Sequence, residues 1–314
     1  MTGIPTVSVV VPVHNEERNL GPLLEAVADS LGPLGLTYEV VFVDDGSADG
    51  SLARIRALIE REPRVVLVKL SRNFGHQRAL SAGMRYARGE CVITMDADLQ
   101  HPPELLPTLI ERWREGYDVV YTVRKDPKET PWIKRATSAG FYRILNAIAR
   151  MHIPAGAADF RLLDRKIVDL LEEFPERNLF FRGLTSWMGF RQMAVPYTAR
   201  PRLTGESQYS FTKMLRLAAD GITSYTSFPL QLATMAGIAV AGLSFLYGTY
   251  AVSAWLFTEQ TVPGWTSVLV SVLFLGGIQL ISIGIVGAYV GQIFQEAKGR
   301  PRYLVESVEN ARER

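Results

Sequence analysis

The stretch CVITMDADLQHPPE, Cys91 to Glu104, runs apolar as far as Met95 and then presents two aspartates one residue apart, Asp96 and Asp98. Carboxylates at a strand end are hard oxygen ligands, suited to Mg2+ or Mn2+ carrying phosphates. Alternate side chains of an extended strand share a side, so the pair would point the same way. A turn there would also let both reach one ion, and Asp98 would serve equally as a cap before the Pro-Pro helix start. A second cluster is VVFVDDGSADGS, where Asp44 and Asp45 precede Gly46. A carboxylate at that place can accept hydrogen bonds from a nucleobase or ribose, or close an Asx-turn with capping by Ser47 or Asp49. The third is SRNFGHQRALSAGMRYARGE: Arg72 and Arg78 are candidates for phosphate, and Gly75 would let backbone approach a ligand. Ala79, Ala82, Gly83 and Ala87 read as small residues for close helix–sheet packing.

The elements that must position these groups alternate in type. Thr6–Val13, Tyr38–Asp45, Arg64–Leu70, Cys91–Asp96 and Tyr117–Val123 read as strands. Helices are expected at Glu17–Leu31, near Ser51–Arg61, from about Gln77 to Ala87, and over Pro103–Gly116. Such alternation predicts an α/β fold with a mostly parallel, Rossmann-like sheet covered on both faces. Ligands of such sheets bind beyond the carboxyl ends of the strands, where all three clusters fall. A basic helical stretch, PWIKRATSAGFYRILNAIARM, follows from Pro131 and reads either as a membrane-surface helix or as an ordinary packed one.

The C-terminal third is of another kind. No Asp, Glu, Lys or Arg occurs between Asp220 and Glu259, nor from Gln260 to Gln295. Each gap exceeds the ~20 apolar residues that span a bilayer. Two spans are expected, Leu230 to Phe257 and about Ser267 to Phe294, joined by a short loop near 258–266. Gly, Ala and Ser in them suit helix packing in lipid and permit self-association, with oligomeric state left open. Lys213 and Arg216 precede the first span, and Lys298, Arg300 and Arg302 follow the second, which places both termini in the cytoplasm. The resulting division is a catalytic domain over 1–209, an interfacial helix over 210–228, the spans over 229–295 and a basic cytoplasmic tail over 296–314.

Composition excludes other classes. A net charge of +2, from 34 basic and 32 acidic residues, gives no footprint for nucleic acid. One cysteine, Cys91, allows no internal disulfide framework and reads as a small core residue. His14, His76, His101 and His152 are scattered, so no histidine metal site is expected; His14 and His101 read as crevice-lining or turn-capping residues. No basic segment precedes an apolar one near Met1, so no signal peptide is expected there.

Taken in order, VVVPVHNEE, VDDGSADGS, SRNFGHQRALSAGMRYARG and MDADLQHPPE resemble the family 2 glycosyltransferases of GT-A fold. GAADFRLLDR, FFRGLTSWMGF, RPRLTGESQYSFTKMLRLAADGITSYTSFPLQL and GAYVGQIFQEAKGRPRY resemble, more narrowly, the polyisoprenyl-phosphate glycosyltransferases, which include dolichol-phosphate mannose synthase and, more similar here, the bacterial bactoprenol glucosyltransferases. The resemblance implies nucleotide binding by Pro12, Glu16, Asp44, Asp45 and Asp96. It implies a metal, Mg2+ or Mn2+, on Asp96, Asp98 and Gln100. It makes Asp159 the candidate base, with Asp98 also catalytic, and gives Arg200, Arg202 and Ser207 to the acceptor phosphate. Departures are Gln208 where many members carry lysine, and His14 and His101 for a common tyrosine and aspartate.

The implied reaction is inverting transfer of a hexose from a nucleotide sugar to polyprenyl (undecaprenyl) phosphate at the inner membrane. UDP-glucose is the first choice of donor, ahead of GDP-mannose and UDP-N-acetylglucosamine. A phosphate monoester has a second pKa of about 6 and scarcely needs a base, so Asp159 is expected mainly to position. Two rivals stand beside this reading. A processive polysaccharide synthase would carry a Gln-x-x-Arg-Trp motif, whereas Trp187 here follows RGLTS. A membrane-anchored scaffold would not need Asp96, Asp98 and Asp159 intact.

Overall fold

The structure, a computed structural model, describes residues 5–124, 156–174, 176, 180–198, 227–257 and 264–311. The expected basic helix from Pro131, the interfacial segment before Ser227 and the loop at 258–263 lie outside these residues.

An eight-stranded sheet organises the first unit. Its strands are β1 (Val7–Val13), β2 (Tyr38–Asp44), β3 (Val65–Leu70), β4 (Cys91–Thr94), β5 (Val119–Arg124), β6 (Ala157–Asp164), β7 (Gln192–Tyr197) and β8 (Val305–Glu309), in the order β7-β5-β6-β4-β1-β2-β3-β8. The block β4-β1-β2-β3 is parallel, as expected of strands alternating with helices. Every residue of β1 and β2 is buried, the mark of strands covered on both faces. One face packs on α1 (Glu17–Leu31), α2 (Ser51–Arg61) and α4 (Leu106–Arg114), the other on α3 (His76–Tyr86), α5 (Arg165–Glu173) and α6 (Phe181–Trp187). α4 ends as expected at Gly116, whose left-handed φ of 90° lets its N–H return to the Trp113 carbonyl at 2.8 Å. Cys91 is a buried core residue, and burial pushes its thiol pKa up.

Gly83 shows why α3 lies so close to the sheet. A Cβ there would collide with the side chains of Val10 on β1 and Val43 on β2. The small residues of SAGMRYA are thus packing residues, as their spacing suggests.

Two features depart from simple alternation. β6 inserts antiparallel between β4 and β5, with Thr94 opposite Arg161. Its first residues therefore stand at the carboxyl end of β4. The expected tail contains β8, which pairs antiparallel with β3, Val308 opposite Val68. Lys69 Nζ meets Glu306 Oε1 at 2.6 Å, and Arg56 Nη2 meets Glu309 Oε1 at 2.7 Å. β8 covers an edge that would otherwise present unpaired backbone. The segment after the second span is therefore part of the catalytic sheet as well as a basic tail.

The chain divides into two compact units, Met1–Ser207 with Arg300–Arg314, and Gln208–Gly299. The second contains α7 (Phe228–Phe257, 30 residues) and α8 (Trp265–Ala297, 33 residues). At ~1.5 Å per residue each exceeds the ~30 Å of a hydrocarbon core. Both are long and apolar enough to cross a membrane, and their large apolar side chains are exposed. Gly237 and Ala241 of α7 and Ile278 and Ser282 of α8 line one cavity between the two helices.

Candidate active site

The carboxyl ends of β1, β2 and β3 form one wall of the crevice. Pro12 is buried within β1 opposite Val43, so its contribution is backbone shape rather than an exposed side chain. After it the chain turns sharply, with Asn15 at φ 60°. Asn15 Oδ1 accepts the Ala48 N–H at 2.8 Å, and the Asn15 N–H donates to Ser47 Oγ at 3.1 Å. Glu16 is half-buried; its N–H donates to Ser51 Oγ at 2.9 Å and its Oε2 accepts from Asn19 Nδ2 at 2.5 Å. His14 is exposed, its Nδ1 3.0 Å from the Asp45 carbonyl and 3.2 Å from Asn73 Nδ2.

Both aspartates of the second cluster are buried and occupied by backbone. Asp44 Oδ1 accepts the Ser47 N–H at 3.2 Å, three residues on, and so braces the turn after β2. Asp45 accepts the Phe74 N–H on Oδ1 at 2.7 Å and the Gly75 N–H on Oδ2 at 2.9 Å. Gly46 is required where these loops meet: a Cβ there would lie 2.5 Å from the Asn73 nitrogen. The candidate phosphate arginines also have local partners. The Arg72 guanidinium lies 4.3 Å over the Phe74 ring, and Arg78 Nη1 donates to the Phe74 carbonyl at 2.9 Å.

The other wall joins the ends of β4 and β6 to α3 and α6. Asp96 and Asp98 are half-exposed with Ala97 buried between them. Asp98 Oδ1 accepts the Gln100 N–H at 3.1 Å, closing a turn in which Leu99 takes φ 59°. Asp96 Oδ1 lies 2.7 Å from His76 Nε2. His101 Nδ1 accepts the Asp96 backbone N–H at 3.0 Å, and its ring stacks on Phe160 at 5.1 Å. His101 is thus the turn-capping residue that was one of its two readings.

These contacts order the charges. Burial acts to raise the Asp96 pKa, but the His76 hydrogen bond and the neighbouring imidazoles outweigh it, and the net shift is downward. Burial acts to lower that of His76, but the bond and charge of Asp96, with Asp159, carry it upward. Burial pushes His101 down against Asp96, Asp98 and Asp159, in line with a ring that accepts the Asp96 N–H at Nδ1.

Asp159 is brought here by the antiparallel register of β6. Thr94 Oγ1 donates to its carbonyl at 2.5 Å. Its buried carboxylate meets Arg182 as a fork, Nε to Oδ1 at 2.9 Å and Nη2 to Oδ2 at 2.8 Å. Gln77 Nε2 adds a bond to Oδ2 at 3.0 Å. Burial would raise the Asp159 pKa, but Arg182, then Arg161 and His76, hold it far below the ordinary carboxylate range. Arg161 is itself buried on β6, pushed down to about 10 by burial against the pull of Asp159. Its Nη1 donates to Thr185 Oγ1 at 2.8 Å and so ties α6 to the strand.

The structure therefore brings Glu16, Asp44, Asp45, Asp96, Asp98, Gln100 and Asp159 to the strand ends around one crevice. Arg200, Arg202, Ser207 and Gln208 lie outside the described residues. Sequence reasoning passed over Arg182, Gln77 and His76.

Comparison with known proteins extends these observations over the chain. The pattern of glycosyl transferase family 2 matches residues 8–171. The uncharacterized glycosyltransferase YkcC of Bacillus subtilis (strain 168) is 45% identical over 97% of this chain and 95% of its own. The bactoprenol glucosyl transferase of Shigella phage SfX is 42% identical over 96% of this chain and 99% of its own. A mannosyltransferase from Pyrobaculum calidifontis, solved in complex with GDP-Man and Mn2+, is 19% identical, with a TM-score of 0.47 and coverage of 90% of this chain and 88% of that one. The strand-end carboxylates, the parallel block that carries them and the family match agree: the chain is a glycosyltransferase and belongs to glycosyl transferase family 2.

Proposed function

We propose that the protein transfers glucose from UDP-glucose to a polyprenyl phosphate, with inversion at the anomeric carbon. The observation that carries this reading is the end-to-end likeness to a bactoprenol glucosyl transferase, which takes in the two apolar helices as well as the catalytic sheet. The crevice supports a nucleotide sugar of this kind, and GDP-mannose and UDP-N-acetylglucosamine are the competing donors. Pro12, Glu16, Asp44 and Asp45 shape the nucleotide end; the two aspartates act through the loops they brace.

The acceptor oxygen attacks the anomeric carbon as the bond to the nucleoside diphosphate breaks on the opposite face. A polyprenyl phosphate is largely dianionic at neutral pH, its second pKa being about 6, so the nucleophile arrives without its proton. The depressed pKa of Asp159 makes that residue a poor base. Asp159 instead accepts a hydrogen bond and orients the substrate, and no covalent enzyme intermediate is needed. Arg200, Arg202 and Ser207 hold the acceptor phosphate in this reading, a task for which guanidinium forks are well shaped.

The donor set at β4 fits a hard divalent cation, Mg2+ or Mn2+. The Asp96 pKa is held down by its neighbours, and Asp98 is half-exposed two residues on, with Gln100 in the same turn. Among the described residues no cluster of three or more His, Cys, Asp or Glu is arranged to hold a metal. Such a site suits an ion that takes one or two carboxylates and draws its remaining ligands from phosphates and water. When bound, the ion would offset charge on the departing diphosphate.

Connectivity supports the membrane placement: the chain leaves the catalytic unit after Ser207 and returns to it at Arg300, as a protein that crosses the bilayer an even number of times would. Basic residues flank both outer helix ends, which supports an inner-membrane protein with its catalytic unit and both termini in the cytoplasm. Spanning helices would keep the crevice near the headgroup plane, where the acceptor phosphate sits, and confine enzyme and acceptor to two dimensions.

The test is to incubate membranes containing the protein with undecaprenyl phosphate and each of the three nucleotide sugars, and to identify the glycolipid by mass. A hexosyl product from UDP-glucose, dependent on divalent metal, is expected. No glycolipid and no released nucleoside diphosphate with any donor would favour a membrane-anchored scaffold.

A further inference from the structure

Asp159 is held by two residues from elements other than its own strand. Arg182 reaches it from α6 as a two-bonded fork, and Gln77 reaches it from α3. Gln77 also accepts the Phe181 N–H on Oε1 at 3.4 Å, so it touches both the carboxylate and the start of the helix that carries Arg182. Arg161 straps the same helix from β6, reaching Thr185 Oγ1 and the Phe181 carbonyl. The cradle is therefore built from three elements.

An ionised carboxylate offers about four acceptor positions. Among the described residues three are taken, two on Oδ2 and one on Oδ1; Arg161 Nη2 stands 3.8 Å from Oδ1, beyond hydrogen-bond reach. One position on Oδ1 remains. A dianionic phosphate has no proton to donate to it. A hydroxyl of the transferred sugar does.

We infer that Arg182 and Gln77 are positioning residues, which fix Asp159 as an ionised acceptor with one oxygen position turned to a hydroxyl of the transferred hexose. This rests on the transferase reading above. Five charged or titratable groups bear on Asp159: Arg182 on α6, Arg161 on β6, His76 on α3, and Asp96 and His101 beyond β4. Removing Arg182 leaves a buried carboxylate without its main partner, so its pKa climbs toward neutrality.

The experiment is a double-mutant cycle on Asp159→Asn and Arg182→Gln, with Arg182→Lys as the conservative variant, in the full-length membrane protein. Turnover is followed from pH 5 to pH 8.5, and thermal unfolding is followed in parallel. Arg182→Gln is expected to lose ~100-fold in kcat and to gain an acid limb that the wild type lacks in this range, with Lys restoring part of both. The double variant should be no slower than Asp159→Asn alone, because Arg182 acts through Asp159. It should also unfold at a higher temperature than Arg182→Gln, since the orphaned charge is gone. Losses in kcat that multiply, or a double variant no more stable than Arg182→Gln, would overturn the inference. If the wild type turns over no donor, the transferase reading fails, and the unfolding cycle still decides the pairing.

Discussion

Asp45, at the carboxyl end of β2, accepts the backbone N–H of Gly75 at 2.9 Å and so fastens the loop that opens α3. The bond spans 30 residues of sequence and joins two walls of the crevice. It also explains why the carboxylate is buried although it lies at a ligand-binding edge: its second oxygen holds the Phe74 N–H at 2.7 Å. Replacing Asp45 by Ala leaves two backbone donors without their charged acceptor. Hydrogen bonds to charged groups contribute about 1.5–3 kcal/mol each, so the variant should lose about 3 kcal/mol. A shift of the denaturation midpoint of that size, with weakened donor binding, is the expected result.

Gly83→Ala should destabilise as well, for the opposite reason. Alanine gains about 1 kcal/mol of helix propensity over glycine. Its methyl would press into Val10 and Val43 at the closest approach of α3 to the sheet, and overpacking costs about 1–3 kcal/mol. Thermal unfolding should show a net loss. An unchanged or raised midpoint would mean that α3 sits farther from the sheet.

Asp159→Asn should lose activity at every pH, with no recovery of rate as pH rises, because the wild-type group is already ionised. The folded pKa lies below the unfolded one. The stabilisation it supplies is therefore present above the ordinary carboxylate value of about 3.9 and is lost as pH falls through the folded value. Wild type and variant should differ in stability at neutral pH and converge in strong acid. Rate recovery in alkali would make Asp159 a base.

Ending the chain at Arg302 should do far more damage than any single surface pair. It removes β8 and exposes the backbone edge of β3. Glu309→Ala removes only an exposed ion pair with Arg56, and such pairs contribute little. The truncated protein should unfold at lower temperature and aggregate in detergent, while Glu309→Ala behaves as wild type.

Much of this architecture is written locally. Glu17–Leu31 and Ser51–Arg61 are helices with the bounds their periodicity and flanking turns suggest, and the apolar runs before Asp44 and Asp96 are buried strands. β4 ends at Thr94, short of the expected Asp96, because the chain begins to turn as soon as the metal-candidate residues start. What could not be read depends on distant partners. β8 is five residues of mixed polarity, and only its pairing with β3, more than 230 residues away, makes it a strand. β6 is not among the strands read from the sequence; it runs antiparallel, and that reversal sets Asp159 at the strand end that also carries Asp96. The aspartates were legible as a cluster. Their partners Arg182, Gln77 and His76 were not, since spacing carries no record of which side chains meet across a sheet end.

The most direct test of the central claim is anomalous diffraction from crystals of the protein grown with UDP-glucose and Mn2+. The account predicts one manganese peak between the carboxylates of Asp96 and Asp98, touching the donor diphosphate, and its loss in Asp98→Ala together with a fall in turnover of ~100-fold or more. A manganese bound elsewhere, or Asp98→Ala retaining both the peak and the rate, would contradict it.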